Sequence, residues 1–95
     1  MQLKYTDHNI GGDVVKDNET YLLKDNKTLN NLVLSSTCLY RGQMTRGHSH
    51  AGQEEVYFFV RGTGMIMVDQ EKFRVGPGDI VLIPDGAFHR VINDG

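Results

Sequence analysis

An all-β fold is predicted for this chain by three observations. Eleven glycines and repeated Asn-Asp clusters cut its 95 residues into short pieces. The pieces between them are rich in β-branched and aromatic residues. No apolar stripe of helical period runs for a useful length. A sandwich or barrel of short strands joined by tight turns satisfies all three.

The elements follow in order. Residues 1–20 are polar and weakly patterned, with turns at Asn9–Asp13 and Lys16–Glu19 around a short Val14-Val15 piece. Tyr21-Leu22-Leu23 reads as a strand and Lys24–Lys27 as a turn. The run Leu32–Tyr40 is long enough to cross a small barrel, and Gly42 ends it. A strand carrying Met44, Arg46, His48 and His50 on one face is expected next, followed by a turn at Ala51-Gly52-Gln53. Glu55–Val60 is dense in β formers, with Glu55, Tyr57 and Phe59 on one side. Gly62-Thr63-Gly64 marks a bend. Met65–Val68 and Lys72–Val75 flank Asp69-Gln70-Glu71 as a hairpin, and Val75–Asp79 is a tight turn that Asp79 caps. The unbroken apolar run Ile80–Ile83 predicts a strand buried on both faces. Pro84-Asp85-Gly86 turns the chain into a last strand at His89–Ile92, where His89, Val91 and Asn93 share a face.

A chain of this length is expected to form one domain with one modest core, whose stability needs help from a metal or a partner. The net charge of −2 offers no basic footprint for nucleic acid. The N-terminus lacks the apolar centre of a signal peptide, and no apolar stretch reaches membrane-spanning length. The single cysteine, Cys38, fits a reducing compartment and is expected to be buried and inert. A cytoplasmic protein is the expectation. His8, alone among polar residues, reads as a surface histidine. Met44, Met65 and Met67 read as core filler.

The chemistry lies in two segments. In the first, Gly42 precedes His48-Ser49-His50 by five residues, Glu55 follows after four, and Gly62 after six more. In the second, five residues separate Gly78 from Pro84-Asp85-Gly86, two more precede His89, and three more precede Asn93. Three imidazoles and a carboxylate converging inside a barrel suit a divalent transition metal: Mn, Fe, Ni, Zn, Co or Cu. Taken singly, each part has a plainer reading. A His-X-His on a strand is common, and the acidic pair Glu54-Glu55 reads as a solvated loop.

Taken together, the parts resemble the two motifs of the cupin superfamily, one over residues 42–62 and one over 78–93. The fifteen-residue connection between Gly62 and Gly78 resembles that of small microbial cupins. The resemblance covers about residues 32–95 and leaves residues 1–28 peripheral. It implies a double-stranded β-helix, or jelly-roll barrel. It also implies metal ligation by His48, His50, Glu55 and His89. Glu54 rivals Glu55 under a three-residue spacer, but only Glu55 stands six residues before Gly62 and alternates with Tyr57 and Phe59. Asn93 is expected to support the fold. Family barrels usually continue past the second motif, whereas this chain ends two residues after Asn93. The strand edge left open would be met by a longer chain, by the N-terminal strand or by a neighbouring subunit, and a strand-sharing homodimer is the expectation.

With four protein ligands, one or two metal positions stay open for water, substrate or dioxygen. Tyr57 and Phe59 would wall the pocket, with core packing as the alternative for each. Arg46 would meet an anionic substrate at the mouth, with a solvated surface arginine as the alternative. The stretch His48–Gly64 looks somewhat like that of cupin-type phosphosugar isomerases. A metal-dependent enzyme acting on a sugar or sugar phosphate is therefore the first expectation. An iron-dependent dioxygenase and a non-catalytic binding module with a structural metal are the alternatives.

Overall fold

A computed structural model describes residues 1–95 as eight β-strands and no helix. All strand pairing is antiparallel. The chain divides into two units, Met1–Tyr40 and Arg41–Gly95.

The first unit is one sheet, β1 (Asp13–Asp17), β2 (Tyr21–Asn26) and β3 (Leu34–Leu39), in that spatial order. The turn expected at Lys24–Lys27 is not there, because β2 continues through Asn26. Polar residues survive in this central strand because their side chains find partners. Asp25 Oδ1 accepts from Ser35 Oγ at 2.6 Å. Buried Asn26 donates Nδ2 to the carbonyl of Ile10 at 2.7 Å and accepts from both the backbone and hydroxyl of Thr28. The turn before β2 is closed by Asn18, whose Oδ1 accepts from the amides of Thr20 and Tyr21. Gly12 takes φ +74°, and a Cβ there would lie 2.0 Å from the carbonyl oxygen of Asp25, so only glycine fits. One expectation fails here: Cys38 is exposed. Leu32, Val33 and Leu34 likewise keep half or more of their surface in contact with solvent. A single three-stranded sheet buries only what lies against it, and β propensity carries no information about what lies opposite.

The second unit holds β4 (Glu55–Phe58), β5 (Gly64–Val68), β6 (Glu71–Val75), β7 (Ile80–Ile83) and β8 (His89–Ile92). They form a two-stranded sheet β4-β7 and a three-stranded sheet β6-β5-β8. The ladders do not close into a barrel. The core is Ile66, which is fully buried, with Val68, Val75, Ile83 and Ala87. Tyr57, Phe59, Val81 and Val91 pack against it. The alternation expected in β4 is found: Glu55, Tyr57 and Phe59 turn inward while Val56 and Phe58 face out. The expected β5-β6 hairpin forms with a two-residue turn, Asp69-Gln70, in which Asp69 takes φ 51°. Asp79 closes its turn as expected, accepting from the amide of Gly76 at 2.8 Å. The run Ile80–Ile83 is not buried on both faces. Ile83 is buried, but Ile80 and Leu82 are 56 % and 69 % exposed. They pair directly with Phe58 and Val56, so the outer face of the β4-β7 sheet is a strip of four exposed apolar side chains.

The strand expected through the first histidines is also revised. Between Gly42 and His50 the chain forms no continuous strand and pairs with β8 through isolated bridges, Met44 to Ile92 and His48 to His89. The amide of Thr45 reaches the carbonyl of Val91, and His48 and His89 exchange both backbone hydrogen bonds. Thus Arg46 and Gly47 together stand opposite Arg90 alone. This two-against-one count is a β-bulge, with Gly47 at φ +81°. A bulge shifts the alternation by one residue, so Met44 and Arg46 no longer share a face with His48. Met44, expected in the core, is 52 % exposed.

Candidate metal centre

The bulge and the start of β8 bring the four motif residues together. The rings of His48 and His89 lie 4.4 Å apart between centroids, those of His48 and His50 5.1 Å, and those of His50 and His89 5.8 Å. Glu55, first residue of β4, inserts its carboxylate between them. Its Oε2 lies 3.0 Å from His89 Nε2 and its Oε1 lies 3.3 Å from His50 Nε2. One donor atom from each residue falls within 4.8 Å of all the others. Glu54, the rival carboxylate, is exposed.

The electrostatics favour lone pairs directed at the centre. His89 is buried, and its Nδ1 lies 3.1 Å from the carbonyl oxygen of Ala87. A carbonyl only accepts, so Nδ1 carries a proton in this contact, and when the ring is neutral a lone pair is left on Nε2. That lone pair meets Glu55 Oε2 at 3.0 Å without hydrogen-bond alignment. His89 Nε2, Glu55 Oε2 and His50 Nδ1 are all buried without a hydrogen-bond partner. Three such atoms in one small cluster are costly unless a cation or proton satisfies them. At His48, burial of the ring lowers the pKa below the ordinary histidine value. Positive charge on His89 and His50 lowers it further, and Glu55 opposes the shift. Imidazoles beside a carboxylate are a donor set of divalent transition metals, so the residues fit such an ion.

The substrate-side residues separate. Tyr57 borders the cluster, its ring edge-on to His89 at 5.8 Å. Burial and the Glu55 charge push its phenol up to about 12, so it stays protonated over the physiological range. Phe59 lies one step further, 6.1 Å from the Tyr57 ring, packed against the hydrophobic core. Arg46 is exposed and outside the converging set. Its backbone contributes instead, its carbonyl accepting from Arg90 Nη2 at 2.6 Å. Sequence reading had not singled out the carbonyl of Ala87 or the bulge at Gly47. The first carries no side-chain signal, whereas a glycine directly before His48 is a hint of an interrupted strand.

A sequence model of the cupin domain matches residues 37–95, and the chain belongs to that family. Among curated proteins it is 29 % identical over 90 aligned residues to a glucose-6-phosphate isomerase of Thermococcus kodakarensis, covering 81 % of this chain and 48 % of that one. It is 36 % identical over 58 residues to a 5-aminosalicylate 1,2-dioxygenase of Comamonas, covering 61 % of this chain and 13 % of the relative. The chain spans less than half the length of either relative. Among solved structures, KdgF from Halomonas superposes with a TM-score of 0.81 at 19 % identity, covering 99 % of this chain and 84 % of that one. At that identity the likeness speaks for the fold.

Proposed function

We propose that His48, His50, Glu55 and His89 hold a divalent transition metal, and that the protein is a metal-dependent enzyme acting on a small polar molecule such as a sugar or sugar phosphate. The observation that supports this reading is the cluster itself, in which one donor atom from each of the four residues lies within 4.8 Å of the others and three buried side-chain atoms lack a hydrogen-bond partner. A jelly-roll closure of the cupin type around the cluster belongs to the same proposal, as does the single-domain reading of residues 1–95. The fold likeness to KdgF supports both.

When bound, the metal would act as a Lewis acid, polarising a substrate carbonyl. The chain's own groups have separate tasks. The Ala87 carbonyl holds the His89 ring in one tautomer. Tyr57, kept protonated, can donate its hydroxyl to a substrate oxygen. Phe59 backs Tyr57 from the core and fixes its position. Arg46, exposed in the bulge, is the group suited to an anionic end of the substrate.

The sugar-phosphate isomerase relative favours isomerisation, since its alignment runs over most of this chain. An iron-dependent dioxygenase is the second reading, and the Comamonas relative favours it. Elemental analysis of protein purified without an affinity tag tests the shared premise. His48→Ala and His89→Ala should each cut metal content sharply, and unchanged stoichiometry in both would refute the ligand set. Oxygen consumption then separates the two chemistries. Uptake linked to an aromatic substrate would favour the dioxygenase, and interconversion of aldose and ketose phosphates without uptake the isomerase.

A further inference from the structure

Resting on the metal reading above, we infer that Asp69 is a positioning residue for the centre, acting through Phe88 to set the geometry between His48 and His89. Asp69 lies at the β5-β6 turn and has no place in either histidine motif. It grips Phe88 by both backbone polar groups. The amide of Asp69 donates to the carbonyl of Phe88 at 2.7 Å, and the amide of Phe88 donates to Asp69 Oδ1 at 3.0 Å. Phe88 stands between Ala87, whose carbonyl holds the ring of His89, and His89 itself. Its own ring closes on Gly47, where a Cβ would come within 2.4 Å of Phe88 Cζ. Gly47 is the bulge residue that precedes His48. Arg90 covers the Phe88 ring from 5.8 Å and reaches across to the carbonyl of Arg46. One residue therefore touches both histidine-bearing segments, and Asp69 fixes where that residue sits.

The left-handed backbone of Asp69, φ 51°, dictates which substitutions separate the two roles. Glycine tolerates that φ and lacks the acceptor. Asparagine tolerates it nearly as well and keeps an Oδ1 to accept from Phe88. Titration with Co²⁺, followed by its visible absorption, reads metal affinity. Loss of an outer partner of a metal-bound histidine typically costs 10–100-fold in affinity. Asp69→Gly is expected to weaken Co²⁺ binding by about tenfold, while Asp69→Asn stays within about twofold of the parent. Equal affinity in Asp69→Gly and the parent overturns the proposal, as does an equal loss in Asp69→Gly and Asp69→Asn.

Metal-free protein supplies the second readout, the solvent exchange of the His89 Nδ1 proton followed by NMR. That proton should exchange slowly in the parent and in Asp69→Asn and faster in Asp69→Gly. A parent protein that binds no Co²⁺ refutes the metal reading alone, and the positioning role is then decided by this exchange. The same rate in all three proteins refutes it.

Discussion

At the scale of single residues the candidate centre combines buried, unpartnered atoms of His50, Glu55 and His89 with the exposed ring of His48. His89 has one nitrogen satisfied by a backbone carbonyl and the other unsatisfied beside a carboxylate. Tyr57 senses the same carboxylate, and a testable pH effect follows. Its folded-state pKa, pushed up to about 12, lies above the ordinary value of 10.0. Between those two values the unfolded chain loses a proton that the folded chain keeps, so stability falls as pH rises through that window and levels off above it. Denaturant titrations across alkaline pH should show this decline, and Tyr57→Phe should flatten it. An equal decline in Tyr57→Phe would count against the assignment. The inward placement of Glu55 was legible in the sequence because it alternates with Tyr57 and Phe59. The exposure of Met44 and Cys38 was not, since strand parity and burial depend on a bulge and on neighbours that local composition does not encode.

Among the elements, the segment Gly42–His50 decides the site. A regular strand would have carried Arg46 and His48 on one face. The bulge at Gly47 separates them, leaving Arg46 in solvent and turning His48 towards His89. Gly47→Ala should therefore damage fold and site together. The new Cβ would strike the Phe88 ring, and a non-glycine residue in the left-handed region costs about 1–3 kcal/mol. Thermal melting should report a drop of several degrees, with weaker Co²⁺ binding. A melting temperature and affinity equal to the parent would mean that the backbone there is freer than its φ implies. The β7 strand teaches a related lesson. Four consecutive apolar residues predict burial on both faces, yet the two-stranded β4-β7 sheet covers only one.

For the whole molecule, ligand binding to the folded state adds to stability, and the core around the fully buried Ile66 is small enough for that increment to be visible. Free metal at a hundred times its dissociation constant would contribute about 2.7 kcal/mol. In a chain of this size that raises the melting temperature by roughly ten degrees or more. Chelator should remove the increment, and readdition of metal should restore it. A melting temperature indifferent to chelator would argue against a metal held in the folded state. The homodimer stays a proposal, supported by the exposed strip Val56, Phe58, Ile80 and Leu82. Contiguous apolar surface of this kind marks an association face. Sedimentation equilibrium should give twice the chain mass of 10.7 kDa, and a monomer at tens of micromolar would sink the idea.

From its sequence alone this protein's family, its strand-rich character and its four candidate ligands could be read, because motif spacing and β propensity are properties of the linear chain. Folding in three dimensions decided the rest. Which face of each strand is wet depends on what packs opposite. The direction of His48 depends on one extra residue in a ladder. The tautomer of His89 depends on a carbonyl two residues away, and its setting against His48 runs through a turn residue outside both motifs. Long-range contacts and backbone hydrogen bonds settle these features, and neither leaves a mark in local composition.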